Sequence, residues 1–161
     1  MAKGYKTLDV YQAAHRLAVE VHRMTLEELP NFEMDEEGSQ VRRSSKSIVV
    51  NFVEGYGRRY YKGDYLRFLT YAIASCDETK EHLELLTDTG SLAQARGEYF
   101  LREYEQVGRD LYRYTQSVAE QHLSGFPPTQ AKNHAVRESQ AVYVTDDDDW
   151  ETWLHEYAPE S

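Results

Sequence analysis

Four stretches of the chain place apolar residues at alternating steps of four and three, the spacing that gathers side chains on one face of a helix. The first holds Val10, Ala14, Leu17, Val21 and Met24 and stops at Pro30-Asn31. The second is expected from about Glu33 to Tyr56, with an inward stripe of Val41, Ser45, Ile48, Phe52 and Gly55. Its small residues, including the neighbouring Ser44 and Ser47, leave room for another backbone to approach. Glu33, Asp35, Glu36 and Glu37 crowd its start, where outward-pointing N–H groups favour negative charge. Gly55 and Gly57 are expected to end it as C-caps.

The third stretch begins near Gly63-Asp64, with Asp64 as the expected N-cap. Tyr65, Leu69, Ala72, Cys76, Thr79, Leu83 and Leu86 then keep the rhythm until Thr89-Gly90. The fourth carries Phe100, Tyr104, Val107, Leu111, Tyr114 and Val118 and closes before Gly125 and Pro127-Pro128. Gly97 and Gly108 each cost this helix about 1 kcal/mol relative to alanine. Strand alternation is absent, since the run Ile48-Val49-Val50 falls inside a helical period. The pattern predicts an all-α protein, an antiparallel up-down-up-down four-helix bundle over 1–123 with an acidic C-terminal extension.

The extension differs in kind. Residues 124–145 are polar and mixed and read as a linker. Asp146, Asp147, Asp148 and Asp149 follow, then Trp150, Trp153, Leu154 and Tyr157 at i, i+3, i+4 and i+7. An acidic run ahead of such a stripe suits the start of a short amphipathic helix.

Charge sharpens this division. Of the net −10, residues 1–123 contribute 16 Lys/Arg against 20 Asp/Glu, and residues 124–161 contribute 2 against 8. A globally basic footprint, the usual mark of phosphate binding, is missing. One cysteine, Cys76, cannot form an internal disulfide, and a single thiol on an apolar stripe fits a reducing compartment. The N-terminus has no apolar run after its lysines and no segment is long enough to span a membrane, so a cytoplasmic protein is expected.

The segment Gln40-Val41-Arg42-Arg43-Ser44-Ser45-Lys46-Ser47-Ile48-Val49-Val50-Asn51-Phe52-Val53-Glu54-Gly55 resembles the signature of four-helix-bundle proteins encoded by intervening sequences of bacterial 23S rRNA genes. Gln40, Arg42, Arg43, Ser47, Ile48, Asn51, Glu54 and Gly55 match it. Leu8-Asp9-Val10-Tyr11-Gln12-Ala13-Ala14, Tyr65-Leu66-Arg67-Phe68-Leu69 and Ala74-Ser75 extend the resemblance across roughly residues 5–120. Ser44 stands where alanine is usual, and Phe52-Val53 replaces Ile-Ala. The resemblance implies a homopentamer, with Gln40, Arg42, Arg43, Ser47, Asn51, Glu54 and Gly55 serving structure and assembly. It also implies kinship with the accessory variability protein of diversity-generating retroelements, which partners a reverse transcriptase and nucleic acid. Those relatives are typically basic, which this body is not.

Di-iron bundles use Glu-x-x-His on facing helices, and no such motif occurs here. His82 with Glu78 four residues back reads as a surface pair. The aspartate run lacks an EF-hand's spacing and glycine. Cys76 reads as a core residue, and Ser44, Ser45 and Ser47 have no histidine in the same segment. Gly55-Tyr56-Gly57 lacks the lysine and strand of a phosphate loop. No catalytic site, metal or cofactor is expected.

Two features invite partners. Arg42, Arg43, Lys46, Arg58, Arg59, Lys62 and Arg67 place seven cations in 26 positions, interleaved with Tyr56, Tyr60, Tyr61 and Tyr65. Such mixtures hold phosphates and stack bases; they also pair with acids of a neighbouring subunit. The tail's tryptophans suit a contact with a protein partner or a groove of the assembly itself. Its acids suit competition with nucleic acid at the basic cluster. The leading expectation is a non-catalytic oligomeric scaffold with a partner-binding tail; the alternative is a nucleic-acid-binding accessory subunit.

Overall fold

The computed structural model describes residues 4–122. Helices α1 (Asp9–Glu27), α2 (Glu37–Gly57), α3 (Lys62–Asp88) and α4 (Gln94–Gln121) follow one another, with short 3-10 turns at Tyr5–Thr7 and Asn31–Met34 and no strand among the described residues. The linker and tail, including Asp146 to Asp149, Trp150, Trp153, Leu154 and Tyr157, lie outside the described residues.

Cross-helix contacts set the topology. Arg16 of α1 meets Glu103 of α4, Glu20 meets Tyr99, and Glu28 meets Arg96. As one number rises the other falls, so α1 and α4 are antiparallel. The same holds for α2 and α3, where Ser44 meets Thr79 and Ser47 meets Ser75. Cys76 with Tyr104, and Tyr65 with Tyr114, pair α3 and α4 in the same sense. Each helix packs on the next and α1 closes onto α4, the up-down-up-down bundle expected from the pattern.

The four stripes form one core. All five stripe positions of α1, all five of α2 and all seven of α3 are buried, Ser45 and Thr79 among them. On α4, Phe100, Tyr104, Val107 and Leu111 are buried, while Tyr114 and Val118 pack half-buried against the same core. Full burial of such a side chain stabilises by about 1.5–3 kcal/mol.

Three local expectations are corrected. The second helix begins at Glu37, not Glu33, because Asn31–Met34 first forms a 3-10 turn. Glu33 is 4% exposed and acts from that turn. Its carboxylate accepts from the Glu37 backbone N–H at 3.2 Å and from the Ser91 hydroxyl at 2.5 Å. It thus satisfies an end of α2 that Glu36, in the cap position, does not cap by its side chain.

Gly55 and Gly57 are not left-handed caps either. Both are helical, and among the described residues only Gly90, after α3, has a positive φ, 78°. Gly55 is needed for space instead. A Cβ there would stand 3.1 Å from the Phe68 Cβ and 3.4 Å from the Tyr65 carbonyl. Asp64, expected as an N-cap, lies inside the first turn of α3, whose cap position is Tyr61.

The core also fixes the chemistry of its polar groups. Desolvation pushes the Cys76 thiol up to about 12, and its sulfur donates to the Tyr104 carbonyl at 3.3 Å. Desolvation likewise raises the phenols of Tyr104 and Tyr65 far above their usual value, with Tyr114 adding to the shift of Tyr65. Ser45 lies close enough to favour ionised Tyr104 slightly, yet the Tyr104 oxygen has no hydrogen bond of sound geometry among the described residues. These groups are neutral when folded and ionise more readily when unfolded. Their stabilisation is therefore complete below the unfolded thiol's value of about 8.5 and declines as pH rises towards the folded values. We expect urea midpoints to be flat near neutrality and to fall above pH ~9. Cys76 should resist thiol reagents until the chain unfolds. Rapid labelling of the folded chain at pH 7 would contradict this burial.

Candidate functional site

The seven cations do not form one patch. At a rise of 1.5 Å per residue, the sixteen residue steps from Arg42 to Arg58 span about 24 Å of helix. Arg42 is spent within the fold: its Nη2 donates to the Met34 carbonyl at 2.6 Å, tying α2 to the preceding turn. Lys46 lies 3.2 Å from His22 Nδ1 on α1. Arg43 is exposed and makes no hydrogen bond or ion pair among the described residues.

The other four gather where α2 turns into α3. Arg58 pairs with Glu54 at 2.9 Å and Asp64 at 3.1 Å, and Arg67 reaches the other Asp64 oxygen at 2.7 Å. Asp64 thus clamps both arginines above the Phe68 ring, 5.1 and 5.4 Å from its centroid. Arg59 lies 4.7 Å from the Tyr56 ring and 4.6 Å from the Tyr60 ring. Lys62 makes no hydrogen bond or ion pair among the described residues. The end of α4 reaches the same corner, where His122 Nε2 donates to the Arg59 carbonyl at 2.6 Å. The corner places guanidinium groups within 5.4 Å of aromatic ring centroids, the makeup that suits anions carrying an aromatic or flat partner.

A second arrangement runs along α2 and α3. Asn51 Nδ2 and Ser75 Oγ both donate to Ser47 Oγ at 3.0 Å. Thr79 Oγ1 lies 2.9 Å from Ser44 Oγ and 2.7 Å from the Ser75 carbonyl. These small hydroxyls join the two helices where larger side chains would separate them. The helical period and the Ser47–Ser75 register bring Val50 and Tyr71 to the same level of the outer face. Val50 is 64% exposed and Tyr71 38%. Arg43 and Glu78 flank this pair on one side, Glu54 and Arg67 on the other. Gln40, Arg43 and Glu54 are exposed on the same flank, Ser47 and Asn51 half-buried beneath it. Gly55 sits at the tight crossing with Tyr65 and Phe68. The exposed Val50 lies among the signature residues, and its place in the apolar run Ile48-Val49-Val50 hides that exposure in the sequence.

Among the described residues no group of His, Cys, Asp and Glu is placed to hold a metal ion. His82 Nδ1 lies 2.6 Å from Glu37 and so joins α3 to α2, while its Nε2 stands 3.6 Å from Glu78, beyond hydrogen-bond reach. Among the described residues no helix is long and apolar enough to cross a membrane.

The fold and these faces define a helical bundle with polar inter-helix seams. The model of the 23S rRNA-intervening sequence protein family matches residues 6–113, and the chain belongs to that family. A similar solved structure comes from Bacteroides thetaiotaomicron VPI-5482 and is described as a protein with unknown function from the S23 ribosomal protein family. It is 21% identical, with a TM-score of 0.61 over 66% of this chain and 97% of its own, and so supports the fold. No curated protein matches the chain.

Proposed function

We propose that the protein is a non-catalytic scaffold of the cytoplasm that assembles with copies of itself through the outer face of α2 and α3. The carrying observation is Val50, 64% exposed at the centre of a face built from the family signature. An apolar centre rimmed by charges is the usual anatomy of an interface. Its rim holds both signs, Arg43 and Glu78 beside Arg67 and Glu54, the last two already paired within the chain with Asp64 and Arg58. The family resemblance makes five the expected number of copies. The tail supplies the means of recruiting a protein partner, and no cofactor is needed.

Native mass spectrometry of the full chain tests this reading. The wild type is expected as a multimer, and Val50→Asp with Tyr71→Asp as a single chain of unchanged helicity. A wild type that stays single at high concentration would overturn it.

The corner supports a second reading, a nucleic-acid-binding accessory subunit, by kinship the partner of a reverse transcriptase or another complex that handles RNA or DNA. Arg59 lies near the Tyr56 and Tyr60 rings, a cation–aromatic makeup that suits a phosphate and a stacked base, although it also donates to the Tyr56 carbonyl and the Tyr60 hydroxyl. Co-purified nucleic acid whose affinity falls steeply with salt would favour it.

A further inference from the structure

We propose that residues 146–161 dock on the corner of the same chain where α2 meets α3, so that the protein covers its own cationic, aromatic surface. This goes beyond the scaffold reading and holds whether or not copies associate.

Position comes first. The last described residue, His122, is hydrogen-bonded to the Arg59 carbonyl at 2.6 Å, so the described part of the chain ends at this corner. The 24 residues from 122 to 146 reach at most about 80 Å extended, with a root-mean-square span of ~27 Å for a flexible chain. A segment starting beside its target on such a tether experiences an effective concentration of about 1 mM. A contact of only ~0.1 mM intrinsic affinity would then be about 90% formed.

Charge and shape agree. Residues 146–161 carry seven Asp/Glu and no Lys or Arg. Within an acidic body, the corner holds Arg58, Arg59, Lys62 and Arg67 against Glu54 and Asp64, with Lys6 in the turn before α1, Asp9 at the start of α1 and Glu120 near the end of α4. Two arginines lie over Phe68 and one beside Tyr56 and Tyr60. Flat guanidinium–ring surfaces accept further aromatic rings, and Trp150, Trp153 and Tyr157 are of that kind.

The chain has two tryptophans, both in the tail, so its tryptophan fluorescence reports this segment alone. With the folded full chain, emission is expected to be blue-shifted and acrylamide quenching several-fold weaker than in urea. High salt should reverse both while far-UV circular dichroism stays constant. Arg59→Glu with Lys62→Glu should release the tryptophans, and so should Asp147→Lys with Asp148→Lys, which leaves the bundle untouched. Combining the two pairs should restore protection. Tryptophans as quenchable in the folded chain as in urea, or protected but indifferent to both charge reversals, would overturn the proposal.

Discussion

Phe52→Ala is expected to lower the stability of the bundle by about 3–5 kcal/mol, the range for removing a large aromatic ring from a packed core. Phe52 is 1% exposed. Its ring centroid lies 5.3 Å from Tyr114 on α4 and 6.4 Å from Tyr11 on α1, so one side chain of α2 bridges two other helices. The loss falls where α4 is already half-buried, at Tyr114 and Val118. Tyr114 also shares a 2.6 Å hydroxyl contact with Tyr65, so a cavity beside it loosens a polar link as well. For a body of this size each kcal/mol moves the thermal midpoint by roughly 3–6 °C, so a fall of at least ~10 °C is expected by circular dichroism. A loss below ~1 kcal/mol would show that the ring is not packed between those helices.

The identity of the helices and their buried faces was legible because burial and helical period act on the same residues. Val41, Ser45, Ile48, Phe52 and Gly55 are readable as a stripe without knowledge of the partner helix. What escaped depends on register between helices or on residues several positions away. Glu33 looked like a first-turn acid, yet it caps α2 from a 3-10 turn, a geometry no single residue announces. Asp64 looked like a cap, but it lies where Arg58 and Arg67 can share it. The seven cations looked like one cluster because they are close in sequence, and helical rise then carried them apart. The serine seam between α2 and α3, and the chain's exit beside Arg59, arise only once antiparallel neighbours are aligned. The outer face was partly legible: the signature named Gln40, Arg43, Ser47, Asn51 and Glu54, while exposed Val50 required the bundle.

Gly55 gives a sharper test of that alignment than any core deletion, because filling the space of a glycine should have opposite signs at the crowded Gly55 and the open Gly108. At Gly55→Leu, added atoms must enter the space held by the Phe68 Cβ, 3.1 Å from where a Cβ begins, and by the Tyr65 backbone. Backbone cannot swing aside as a flexible side chain does, so α2 and α3 must part, at a cost of about 3 kcal/mol. The serine seam lies two turns away on the same helices, so the expected loss includes weaker Ser47–Ser75 contact and a displaced corner. At Gly108 a Cβ meets only the Cys76 sulfur at 3.6 Å, an ordinary contact. Gly108→Ala should therefore raise stability by about 0.5–1 kcal/mol through helix propensity and the smaller entropy of the unfolded chain. Urea midpoints of the two variants should move in opposite directions. If Gly55→Leu were neutral, the close crossing of α2 and α3 would be wrong, and with it the outer face on which self-assembly is proposed.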